Sequence, residues 1–75
     1  MEMDIFIKNF AEQFDDLTEQ LLPETEFRQI DGWSSLVSLM IISMVDEEYG
    51  VTIGALEINS AKTISDLFNI VKAKL

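Results

Sequence analysis

The stretch Asp31-Gly32-Trp33-Ser34-Ser35-Leu36-Val37-Ser38-Leu39-Met40-Ile41-Ile42-Ser43-Met44-Val45-Asp46-Glu47-Glu48-Tyr49-Gly50 decides the fold. It predicts a helix over residues 34 to 49. Ser34 and Ser35 are both competent N-caps, because a serine oxygen can accept from a free N–H of the first turn. Gly50 supplies the stop, since glycine takes the left-handed conformation that closes a helix. At about 100° per residue, Ser38, Ile41, Ile42, Val45 and Tyr49 fall on one side, the expected core face. Leu36, Leu39 and Met40 fall on the other, near the N-terminal end. An apolar cluster on an outward face marks an interaction site. The competing account is that another helix covers it.

Working toward the N-terminus, residues 23 to 33 show no clean period and read as a long loop, a feature often tied to function in a compact domain. Phe27, Ile30 and Trp33 are expected to pin it to the core, and Gly32 gives backbone freedom before the helix. Residues 3 to 22 carry a helical stripe of Ile7, Phe10, Phe14, Leu17 and Leu21. That pattern fits a helix that breaks near Asp15-Asp16, or one that runs to Leu21 and ends at Pro23.

Toward the C-terminus, Val51-Thr52-Ile53 alternates but has nothing to pair with, so it reads as an extended link. Residues 54 to 60 predict a short helical turn with Leu56 and Ile58 inward. Thr63-Ile64-Ser65-Asp66 resembles a capping box, and Ile64, Leu67, Phe68, Val71 and Leu75 continue with helical spacing. The expectation is an all-α domain over residues 1–75: a small four-helix bundle of three main helices and one short one.

Composition narrows function. A chain of 75 residues buries only ~60% of its unfolded surface, which leaves little room for a deep pocket. It has no histidine and no cysteine. The commonest general base and metal ligands are absent, and a Ser-His-Asp or Cys-His nucleophile is impossible within the chain. Asp15-Asp16 is a poor chelating pair, because adjacent helical residues diverge by about 100°. These points argue against an autonomous enzyme. A net charge of −9, from 14 acidic and 5 basic residues, repels phosphate backbones and steers toward basic protein surfaces. It also simply favours solubility. No signal peptide is evident, and the longest apolar run, Leu39 to Ile42, falls far short of the ~20 residues of a membrane span. A cytoplasmic monomer is expected.

The best remaining reactive group is a serine at the mouth of the second helix. With no base nearby in sequence it is a poor nucleophile by itself. It can still accept a group placed by another enzyme.

Here the chain resembles the acyl carrier protein family along nearly its whole length. That family carries its modified serine in an Asp-Ser-Leu motif opening the second helix, followed by an acidic run, an aromatic residue and a glycine. Ser35-Leu36, then Asp46-Glu47-Glu48-Tyr49-Gly50, match that register, and Thr63-Ile64-Ser65-Asp66-Leu67 resembles the start of the family's last helix. The resemblance implies a phosphodiester between Ser35 and 4′-phosphopantetheine, installed from coenzyme A by a phosphopantetheinyl transferase. The arm's thiol would carry acyl groups as thioesters, as in fatty acid or polyketide biosynthesis. It further implies a non-catalytic protein that docks acyl-loading and acyl-processing enzymes with basic or apolar surfaces. Leu36, Val37, Leu39, Met40, Asp46, Glu47 and Glu48 are the expected docking residues.

Two departures stand out. Ser34 replaces the family's aspartate and is a rival attachment point, although register with Leu36 and Gly50 favours Ser35. Val37 and Met40 replace acids that many fatty-acid carriers have two and five residues after the serine. That implies a more apolar docking surface and specialised partners. An unmodified carrier-fold interaction module, or a carrier of aminoacyl or D-alanyl groups, are the alternatives.

Overall fold

The computed structural model describes residues 2–75. It is all-helical: α1 (Met3–Ala11), a 3-10 turn (Phe27–Gln29), α2 (Ser35–Tyr49), α3 (Ala55–Ser60) and α4 (Ile64–Ala73). Helix α1 packs on α4 and α2, and α3 packs on α4. This is the small four-helix bundle expected.

Helix α1 stops at Ala11, well before either end expected from the stripe. Its last turn tightens, with Gln13 N donating to Phe10 O and Phe14 N to Ala11 O, both at 3.1 Å. The Gln13 amide also donates to Asn9 O at 3.0 Å, satisfying a late carbonyl. Continuing the helix would place Asp15 and Asp16 further along its negative end, an unfavourable arrangement. Phe14, Leu17 and Leu21 keep their inward placement without helical backbone: Leu21 is buried, and the other two pack against the core.

The centre is aromatic. Phe6, Phe10 and Phe27 are fully buried. Phe6 meets Phe68 edge-on at 5.5 Å, and Phe10 meets Phe27 the same way at 5.6 Å. Each such side chain contributes about 1.5–3 kcal/mol on burial. Phe6 lies outside the stripe named above, yet its ring packs on Phe68 between α1 and α4. Among the described residues no polar or charged side chain is buried.

The loop after Pro23 closes one end. Pro23 O and Thr25 O accept from Ser65 N at 2.8 Å and Ile64 N at 3.0 Å, the otherwise orphaned first donors of α4. Thr63 Oγ1 takes Asp66 N at 3.1 Å, and Asp66 Oδ2 accepts from Thr63 N at 3.0 Å, completing the expected capping box. Val51 and Ile53 are buried and Thr52 exposed, as an extended link requires.

Two further expectations need correction. The buried face of α2 is Val37, Ile41, Met44 and Val45, whereas Ser38, Ile42 and Tyr49 are only partly buried. Apolar residues occur nearly all round this helix, so its own period does not select a face; packing against α1 does. Leu56 points outward, 84% exposed, while Ile58 carries the inward side of α3. A six-residue helix has one face to bury, and Leu56 and Ile58 lie about 200° apart on it.

Candidate functional site

The site forms where the long loop delivers the chain into α2. Ile30 N donates to Phe27 O at 3.2 Å and Trp33 N to Ile30 O at 3.0 Å, folding the loop into consecutive turns. Gly32 sits at φ +95°, a conformation that side-chain-bearing residues rarely adopt. Trp33 then wedges beside Phe27, ring centroids 5.3 Å apart at 64°, and beside Phe14 at 6.3 Å. The anchoring roles of Phe27, Ile30 and Trp33 hold.

The two adjacent serines occupy different positions. Ser34 is the N-cap: its Oγ accepts from Val37 N at 3.2 Å, and its carbonyl accepts from Ser38 N at 3.0 Å. Ser35 is the first helical residue, with its side chain exposed. The N–H groups of Ser35 and Leu36 precede the first intrahelical bond, so helix geometry leaves them directed toward whatever occupies this end. An anion held here meets both these donors and the positive end of the helix dipole.

A shallow groove opens on the α3 side of Ser35. Ser35, Ser38, Leu39, Ile42 and Trp33 line it from one wall, and Ala55 and Asn59 from the other, enclosing about 540 Å³. Its walls are apolar or neutral, without a charged group. On the opposite side of α2 lies a second depression of about 340 Å³, where Ser34, Leu36, Val37 and Met40 face Gln13 to Asp16, Asp31 and Gly32.

The expected docking residues divide accordingly. Leu36 is 66% and Leu39 62% exposed. Met40 is half-buried, and Asp46, Glu47 and Glu48 are exposed. Val37 is a correction: at 8% exposure it belongs to the core, and its N–H serves the Ser34 cap. Leu39 is brought to the Ser35 groove, Leu36 and Met40 to the other side, and Glu47 and Glu48 further along that side with Met40. Asp46 lines none of these depressions. Ala55 and Asn59 were not legible as site residues, because only the placement of α3 brings them to Ser35; Ile42, seven residues after Ser35 and on the same face of α2, was expected in the core instead.

Three carboxylates crowd the last turn of α2, the negative end of its dipole, with no basic residue beside them. Among the described residues one ion pair forms, Lys74 with Glu57 at 3.5 Å, so the acidic surface is largely uncompensated. No group of three His, Cys, Asp or Glu among the described residues is placed to hold a metal ion.

No family model, curated protein or solved structure matches this chain.

Proposed function

We propose that the chain is an acyl carrier protein, with Ser35 as the attachment point of a 4′-phosphopantetheine arm. The supporting observation is the exposed Ser35 hydroxyl at the first turn of α2, beside a cap already made by Ser34. A phosphodiester fits this position: no side chain encloses the oxygen, unbonded N–H groups lie next to it, and the neighbouring groove offers a neutral wall. When attached, the arm supplies a thiol for acyl groups. The chain's own residues position that tether and exclude nothing from it. They contribute no base, in keeping with a role as acceptor and presenter.

Leu36 and Leu39 flank Ser35 with exposed apolar surface, and Glu47 and Glu48 lie further along α2. Apolar contact near the arm plus acidic steering suits a phosphopantetheinyl transferase and acyl-processing enzymes with basic surfaces. Acids kept at the unfavourable helix end fit a docking role better than a stabilising one.

Incubation with coenzyme A and a phosphopantetheinyl transferase should add the mass of one arm. Ser35→Ala should abolish the gain and Ser34→Ala should retain it. Absence of the gain with several transferases would reject the carrier reading.

A second reading is an unmodified interaction module of the same fold, favoured by the large exposure of Leu36 and Leu39. Intact mass of protein from its own host separates the two: an unmodified population throughout growth supports the module.

A further inference from the structure

We propose that Arg28 is a clasp that holds α3 shut, so that this helix is a hinged wall of the groove beside Ser35. The inference concerns the groove itself and stands whether or not Ser35 carries an arm.

By itself α3 has little to keep it in place. Its six residues are far too few for a helix to persist alone in water. Ile58 is its buried side chain, and Ala61, which ends it, is buried just beyond. The helix packs on α4, and among the described residues no hydrogen bond joins it to α2 across the groove.

Arg28 supplies the missing tie, and it acts on the wall itself. Its Nη1 donates to Asn59 O at 2.6 Å and to Ile58 O at 3.4 Å. These carbonyls lie in the last turn of α3, where the helix has no donors of its own for them and where a cation is favoured. Asn59 is one of the two α3 residues that line the groove. The root of the clasp is fixed, because the guanidinium lies 5.8 Å from the centre of the fully buried Phe27 ring. That same ring braces Trp33, which lines the groove from the α2 side, at 5.3 Å. One buried side chain thus supports both walls. The other tie to α3 is weaker: Glu57 and Lys74 pair at 3.5 Å with their side chains 34% and 40% exposed.

The test uses the full chain, which has no cysteine of its own. Ala61→Cys places a thiol at the buried end of α3, where a thiol reagent reaches it once the helix lifts. Val71→Cys places one in fully buried α4, where it reacts on global unfolding. The first thiol should react about tenfold faster or more, with a shallower dependence on urea. Adding Arg28→Met, which keeps the apolar stem and removes the donors, should speed that reaction about fivefold. Arg28→Lys should fall between, and Lys74→Met should change the rate by less than about twofold. Amide exchange at Ile58 and Ala61, whose N–H groups donate to Gly54 O and Glu57 O, gives the same comparison without the cysteines. Ser35→Ala should leave every rate unchanged, which separates the clasp from the carrier reading. Equal rates and equal urea dependence for the two thiols would show that α3 opens only with the whole fold. No response to Arg28→Met, or an equal response to Lys74→Met, would show that Arg28 is not the clasp. Either result overturns the proposal.

Discussion

Ser34 Oγ accepts the backbone N–H of Val37 at 3.2 Å, and this contact separates the tasks of two adjacent serines. One hydroxyl holds the helix, and the next is exposed at its mouth. Ser34→Ala should cost about 1 kcal/mol of stability, the usual loss for a serine N-cap. Ser35→Ala should leave the melting temperature nearly unchanged. Denaturant titration of the two variants, set beside their modification by mass spectrometry, checks both halves. A larger stability loss at Ser35 than at Ser34 would contradict this division.

Arg28 ties the long loop to α3. Its Nη1 donates to Asn59 O at 2.6 Å and to Ile58 O at 3.4 Å, serving carbonyls in the second half of a short helix. Arg28→Ala should lower global stability by about 1 kcal/mol, since a charge-assisted bond at an exposed site is worth less than a buried one. Faster hydrogen exchange should appear at Ile58 to Ala61 before it appears in α2. Uniform acceleration across all helices would instead mean that Arg28 acts on the whole fold.

Phe27 is the hinge of the loop, fully buried, edge-on to Phe10 and to Trp33. Phe27→Ala should cost about 3–5 kcal/mol. For a domain of this size that approaches the whole stability, so circular dichroism should show a largely unfolded chain at room temperature. Phe27→Leu should stay folded with a lowered melting temperature. Trp33, the sole tryptophan, would report the loosening by fluorescence.

Two surface carboxylates are held below the ordinary carboxylate range by backbone donors. Asp66 accepts from the N–H groups of Thr63 and Lys62, and Glu57 accepts chiefly from Gly54 N. A depressed folded pKa means the contribution is present above the unfolded pKa and is lost as pH falls through the folded one. Both contributions should therefore fade below about pH 4. Protonating the other carboxylates relieves repulsion in a chain of net charge −9, so the comparison is between curves. Thermal melts of Glu57→Gln with Asp66→Asn should run below the native chain at neutral pH and converge with it in acid. A constant gap at every pH would show that ionisation of these groups is irrelevant to stability.

Local chemistry was legible in the sequence alone. The limits of α2 follow from a serine cap and from Gly50 at φ +65°, and the start of α4 follows from Thr63 and Asp66, because each signal involves groups a few residues apart. The three anchors of the loop were legible too, as the large apolar side chains of an otherwise mostly polar stretch. The tertiary structure alone decided three things. It ended α1 at Ala11 although Phe14, Leu17 and Leu21 keep the helical spacing, because periodicity records which side chains point inward and not the path of the backbone. It turned Val37 rather than Ser38 into the core, because a helix apolar nearly all round takes its buried face from its neighbours. It made Leu56 exposed and set Asp15, Asp16 and Asp31 along one trough with Met40, because residues far apart in the chain become a surface only when packing brings their elements together.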